Sequence, residues 1–345
     1  MIAILIILLC LVAGVAGFAY FAYNQVFGKR CDGDERLKYF SHEDFDGLKA
    51  APVEFEKEKG NTLRGAIYAK SGLQMPEALI IFSHGMGAGH LAYTTEINYF
   101  AQKGYLVLAY DNTGTCTSEG EKLYGFAQGV IDLKHAIAFI KSREDTKDLP
   151  LLLVGHSWGA YSVSNVSAIT DESDIKGIVA FSPFNSMNKL LRDNAKQKTK
   201  MNLSILSPFF DIINLVRFGK AGILRSCNTI DSNSIPTLIM HGGNDLQVTL
   251  RNSPVGLKSR ISNNPNARTV LYESKYHNVY LAKDAEQYLN DTSAKIATLG
   301  ENSPEAYEIY QNIGYSLITK EDLTVMETAN SFLEECVMKR DFLQE

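Results

Sequence analysis

The sequence predicts an α/β protein, a mostly parallel sheet flanked by helices, preceded by one apolar helix long enough to cross a membrane. Three observations predict it. Several strand-like runs are apolar without alternation, the pattern of strands covered on both faces. Helical stretches with apolar residues at three- and four-residue spacing separate most of these runs, which implies right-handed crossovers between parallel strands. Residues 2–23, IAILIILLCLVAGVAGFAYFAY, carry no charge. With 345 residues, 45% of them hydrophobic and 21% charged, the chain can bury a sizeable core.

At about 1.5 Å per residue, a helix over residues 2–23 is about 33 Å long and covers a hydrocarbon core of about 30 Å. An uncleaved single-pass anchor over residues 1–27 is favoured over a cleaved signal peptide. Gly14 and Ala16 are small enough to flank a cut, but no charged segment precedes the run and the run is too long. A lipid on Cys10 is disfavoured because Leu9 stands where a small residue is expected. Lys29 and Arg30 follow the run, whereas Met1 alone precedes it. The positive-inside bias therefore places the rest of the chain on the cytoplasmic side of a cell membrane.

Residues 28–50 are polar and acidic and read as a juxtamembrane linker, with the folded domain over 51–345. Residues 53–70 alternate around Gly60-Asn61 and predict an antiparallel hairpin. The continuous runs follow: ALIIFSHG (78–85), YLVLAYDN (105–112), LPLLLVGHS (149–157), GIVAFSPF (177–184) and PTLIMHGGND (236–245). Helices are expected over 92–103 and 125–143, the second through Phe126, Val130, Leu133, Ile137, Phe139 and Ile140. The gap between the last two runs is far longer than a crossover needs, so residues 185–232 hold an inserted structure. It is basic, with Lys196, Lys198 and Lys200 among its charges, and it carries the apolar run LSILSPFFDIINLV (203–216). It is either a solvated helical excursion with its own small core or a lid over a substrate. A last strand-like run, ARTVLYE, precedes a further helix.

A net charge of −5 argues against a nucleic-acid partner, which requires a concentrated positive face. The cysteines at 10, 31, 116, 227 and 336 are scattered, without a CxxC pair or metal-ligand spacing, and read as free thiols. No metal or cofactor is expected, and nothing in the sequence indicates an oligomeric state.

Residues 150–160, PLLLVGHSWGA, bracket Ser157 with Gly155 and Gly159 at the end of a buried strand. Small residues on both sides of a polar one mark a turn too tight for side chains at its flanks, with the serine lifted to its tip. A neutral hydroxyl is a poor nucleophile, so an imidazole must take its proton and a carboxylate must fix that imidazole's tautomer. His277, between the last strand-like run and a helix, suits a mobile base; His84, His90 and His241 lie at strand ends as supporting groups, and His156 points away from the serine. Asp245 ends the run PTLIMHGGND at a carboxyl-terminal strand edge, where open parallel sheets carry functional groups. Its rival, Asp111, precedes the serine and ties down its own loop. Trp158 either packs under the turn or floors an acyl pocket.

The order Ser157, Asp245, His277 is that of the α/β-hydrolase superfamily. The chain resembles that superfamily over about residues 53–290 and the final helix, through GHSWG (155–159), HGMG (84–87), YDNTGTCTSEG (110–120) and the pair GGND and YHN. Within it, the chain is most similar to the monoglyceride-lipase, lysophospholipase and serine-aminopeptidase (S33-like) group. The resemblance implies an oxyanion hole from the backbone N–H groups of Met86 and Trp158. It departs from the group at Cys116, which stands where glycine is usual, and in the length of chain after His277. The expected function is a membrane-anchored serine hydrolase forming an acyl-enzyme on Ser157 and cleaving a small or lipid-like carboxylic ester. Ester cleavage is favoured because the resemblance spreads over esterases, and because a basic, apolar insertion beside an anchor suits an amphiphilic substrate at an anionic bilayer. The alternatives are a peptidase that holds a free amino terminus, for which Glu119 is the carboxylate at hand, and a non-catalytic binding protein using the same scaffold.

Overall fold

The computed structural model describes residues 1–56, 60–200 and 204–338. Part of the expected hairpin turn, Leu203 of the apolar run, the side chain of Lys198 and the last seven residues of the expected domain lie outside the described residues. The strands are β1 (Leu48–Glu56), β2 (Thr62–Lys70), β3 (Leu79–Ser83), β4 (Leu106–Tyr110), β5 (Leu151–His156), β6 (Ile175–Phe181), β7 (Thr237–Gly242) and β8 (Ala267–Tyr272). They form one sheet in the order β1-β2-β4-β3-β5-β6-β7-β8. β1 and β2 are an antiparallel hairpin, β2 joins β4 antiparallel, and β4 through β8 run parallel. After β3 the chain steps to β4 on one side and returns through β5 on the other, so β3 and β5 flank the switch point.

Both faces of the sheet are covered, which explains why its strands are apolar throughout. Leu79, Ile81, Leu151 and Leu153 point into one core, and Ile80, Phe82, Leu152 and Val154 into the other, following the two-residue period of a strand. The first core is closed by α3 (Ala127–Ser142) and α4 (Trp158–Asn165), together with the end of α1 (Ile2–Phe27); the second is closed by α2 (Thr94–Gln102) and the C-terminal helices. The insertion between β6 and β7 contains α5 (Met187–Thr199), α6 (Ser207–Phe218) and α7 (Ser226–Asp231). α6 has Pro208 in its first turn and Gly219 just past its last residue, the usual asymmetry of helix ends.

The chain after His277 forms α8 (Lys283–Leu299), α9 (Pro304–Gln311), α10 (Tyr315–Ile318) and α11 (Leu323–Met338). α11 is the covering helix, burying Val325, Met326, Ala329, Phe332, Leu333 and Cys336. Before it, residues 320–322 pin the segment after His277: Leu281 bridges Glu321, Ala282 N–H donates to the Lys320 carbonyl, and Asp322 N–H to that of Tyr280.

Two features differ from the sequence expectation. β1 begins at Leu48 and so crosses the boundary placed at residue 51. Residues 28–50 are docked rather than extended into solvent. Arg30 donates to the carbonyls of Cys116, Ser118 and Gly120, Cys31 N–H donates to Gly114 O, and Lys38 N–H reaches the Tyr315 hydroxyl. Polar composition indicated solvation, but the polar groups are spent on loop carbonyls. Most of α1 is exposed and apolar, with Ala19, Tyr23 and Phe27 buried against the domain at its C-terminal end.

Candidate active site

Ser157 sits between β5 and α4 with φ 55° and ψ −111°, a backbone conformation that costs a residue with a Cβ. Both flanking glycines are required. A Cβ on Gly159 would run into the carbonyls of Ser83 and His84, and one on Gly155 into the backbone of Gly159 and Ala160. From Leu151 to Val166 every residue but Ser157 is buried, so the turn lifts the serine into a cavity. Its side chain does not cap α4, and its N–H is held by the Phe181 carbonyl at 2.9 Å.

His277 and Asp245 meet across the ends of β7 and β8. His277 Nδ1–H donates to Asp245 Oδ2 at 2.7 Å, and Asp245 Oδ1 accepts the N–H groups of Gln247 and Val248, each at 2.8 Å. The carboxylate is fully buried and fixed in orientation, so the ring is held with Nε2 as the nitrogen free to take a proton. Ser157 and His277 line the same cavity of about 220 Å³, with Met86, Tyr93, Phe126, Phe184, Leu190, Asn194, Gln247 and Val248 among the other walls. Among the described residues no carboxylate lines it. Trp158 begins α4 and Met86 follows β3; among the described residues neither amide donates to a protein group, and Met86 also lines the cavity. Two unsatisfied N–H groups beside a hydroxyl are what an oxyanion site requires.

The remaining histidines near strand ends are structural. His84 accepts the Asn112 N–H at Nε2, 2.9 Å, and therefore donates from Nδ1 to the Gly85 carbonyl. His241 donates to the Val248 carbonyl at 2.8 Å and accepts the Ser253 hydroxyl at 3.0 Å. Burial lowers the pKa of both rings. Asp111 accepts the His90 N–H and ring N–H and the Thr117 N–H and hydroxyl, so it ties its own loop together. Its burial would raise its pKa, but the bonds from His90 and Thr117 outweigh that and hold it lower.

His156, read as turned from the serine, lines the same cavity as Ser157, and its ring packs on that of the base, His277, at 4.8 Å. Gly85 N–H donates to the Tyr93 hydroxyl at 3.0 Å, Tyr93 donates to His156 Nδ1 at 2.9 Å, and His156 Nε2–H donates to the His277 carbonyl at 3.2 Å. Desolvation pushes the His156 pKa well below its ordinary value and keeps this chain of bonds in one tautomer. Ser182, at φ 53°, also donates to the His277 carbonyl, at 2.7 Å.

Trp158 packs under the turn rather than flooring the cavity: it is 2% exposed, and its Nε1–H donates to the Phe126 carbonyl at 2.7 Å. The aromatic wall is Phe126 and Phe184, which periodicity had assigned to helix and strand cores. Glu119 lies away from the cavity, accepting the Thr62 N–H and bonding Arg64. A second cavity of about 230 Å³ is lined by Tyr93 and Asn278 among others, and among the described residues its walls carry no serine or histidine.

The profile of a family described as serine aminopeptidase, S33, matches residues 74–229. A monoglyceride lipase of Rattus norvegicus is 27% identical over 49% of this chain and 54% of its own length. A monoglyceride lipase homolog of monkeypox virus is 30% identical over 37% of this chain and 47% of its own. The chain thus spans about half the length of the curated relatives it matches. An esterase of Pyrococcus furiosus superposes with a TM-score of 0.57 at 19% identity, covering 78% of this chain and 97% of that one, which shows a shared fold.

Proposed function

We propose that this chain, which shares its fold with the Pyrococcus furiosus esterase, is a membrane-anchored serine esterase acting through an acyl-enzyme on Ser157. The observation that carries the proposal is the buried His277–Asp245 pair sharing one cavity with a serine held at the tip of a strained turn. The Ser157 hydroxyl attacks the acyl carbon and its proton passes to His277 Nε2, while Nδ1–H stays bonded to Asp245. The Met86 and Trp158 amides stabilise the oxyanion. His277 then gives its proton to the departing alcohol, and a water, deprotonated by the same nitrogen, releases the acid and regenerates the serine.

Ester substrates are favoured over peptides with a free amino terminus because the cavity walls supply no carboxylate to hold an ammonium group, and Glu119 is committed elsewhere. The monoglyceride lipases among the relatives support a lipid-like ester. So does the surface beside α1: Ile212, Leu215 and Val216 of α6 are exposed next to a helix that is long and apolar enough to cross a membrane and whose first half is exposed. Lys29 and Arg30 after α1 favour the cytoplasmic side for the catalytic domain. A cavity of about 220 Å³ is below the roughly 300 Å³ typical of ligand sites. The resting form therefore suits short acyl groups, and a long chain requires the insertion, acting as a lid, to move. The test is a panel of p-nitrophenyl esters set against aminoacyl amides, using the full chain in detergent micelles. Ester turnover abolished by Ser157→Ala supports the reading; amide turnover without ester turnover overturns it.

A further inference from the structure

We propose that the end of the N-terminal helix is a specificity element of the active site, with Phe27 a positioning residue for Phe126, the aromatic wall of the cavity. The inference rests on the esterase reading above and adds that the acyl group accepted is set partly from α1.

Phe126 lines the cavity with Ser157, and its ring lies between the cavity and α1. Phe27 meets it edge-on at 4.9 Å and Phe184 meets it at 5.0 Å. Phe27 is itself buried and packs on Tyr23 at 4.7 Å. The loop delivering Phe126 has no regular structure of its own. Tyr124 stands at φ 64°, a conformation that costs a residue with a Cβ and persists when neighbours impose it.

Those neighbours are the last turn of α1 and the residues just after it. Tyr124 N–H donates to the Phe27 carbonyl and Leu123 N–H to that of Lys29, each at 3.2 Å. The Tyr23 hydroxyl donates to Asn214 Oδ1 of α6 at 2.6 Å and lies 3.2 Å from the Tyr124 carbonyl, which also accepts from Arg217 at 3.0 Å. Gly125 is flush against this joint, where a Cβ would run into the Tyr23 hydroxyl and the Phe218 ring. On its far side the Phe126 carbonyl accepts the Trp158 ring N–H. Helix end, insertion and cavity wall therefore form one buried joint. Ala19, Tyr23 and Phe27 recur every four residues along one stripe of α1, whereas residues 2–14 of that helix are apolar and exposed. A stripe of this kind is not needed by a helix that only tethers.

The experiment measures kcat/KM for p-nitrophenyl acetate and octanoate with the full chain in phosphatidylcholine nanodiscs. Phe27→Ala vacates the space behind Phe126 and is expected to raise the octanoate-to-acetate ratio by about tenfold, the discrimination that pocket volume commonly sets. Leu333→Ala, in the core on the opposite face of the sheet, controls for loss of stability and should leave the ratio unchanged. An unchanged ratio in folded, acetate-hydrolysing Phe27→Ala overturns the proposal, as does an equal shift in Leu333→Ala. Should Phe27→Ala not fold, Phe27→Leu is read by the same ratio: a shift supports the proposal and its absence overturns it. A wild-type chain that hydrolyses neither ester instead refutes the esterase reading, and this inference with it.

Discussion

At the residue scale, the proton transfer proposed for Ser157 depends on the tautomer of His277. Asp245→Asn keeps an oxygen for the Gln247 and Val248 amides but turns an NH2 group toward His277 Nδ1, so that nitrogen must become an acceptor and Nε2 must carry the proton. The base is then blocked, and kcat should fall by about 10³–10⁴ with the thermal midpoint little changed, as steady-state kinetics and calorimetry would record. Tyr93→Phe cuts the chain of bonds from Gly85 through His156 to the His277 carbonyl. A shift of the base relative to the oxyanion donors should lower kcat by roughly 10- to 100-fold while KM stays within about twofold; a fall in KM alone would contradict a positioning role. The pairing of Asp245 with His277 beside Ser157 was legible as an arrangement because chemistry restricts the residue types and the chain order restricts their positions. Tyr93 was not legible. It belongs to no motif, and only the fold brings it to His156.

At the element scale, the strands were read closely because burial on both faces leaves an unbroken apolar run, and the two crossover helices because their periods are regular. The insertion was legible as an insertion, from length alone, but its packing on α1 was not, since Phe210 and Asn214 meet Tyr23 through contacts about 190 residues apart. Cys116 is a further case. It stands at φ 39°, in the conformation that favours the glycine expected there, and its Sγ accepts the Gly89 N–H at 3.1 Å. The exposed apolar residues of α6 give an element-scale prediction. Ile212→Glu with Val216→Glu should lower activity on a monoacylglycerol in vesicles by roughly tenfold or more, because charge is expelled from the lipid boundary, and leave a soluble short-chain ester within about twofold. Equal losses on both substrates would show that α6 acts on the fold and not at the lipid surface.

At the scale of the whole molecule, the chain after His277 sets the partly buried Glu321 against the buried Glu96 of the domain body. Burial raises the pKa of Glu96 in α2 and of Glu321, and the Glu96 charge raises Glu321 further. Each carboxyl therefore binds its proton more tightly folded than unfolded. The stability this contributes is complete below the ordinary glutamate range and is lost as pH rises through the raised values. Calorimetry should show Glu321→Gln melting a few degrees above wild type at about pH 9 and close to it at about pH 4; a constant difference would contradict the shared burial. Residues 28–50 were misread at this scale too, because composition reports polarity but not the carbonyls that Arg30 and Cys31 satisfy. The central claim, that Ser157 is activated by His277, is tested most directly by labelling the full chain with a fluorophosphonate and mapping the adduct by mass spectrometry. The account predicts one adduct on the peptide containing Ser157, formed at least about a thousandfold more slowly in His277→Ala. An adduct on another residue, or an equal rate in the variant, would contradict it.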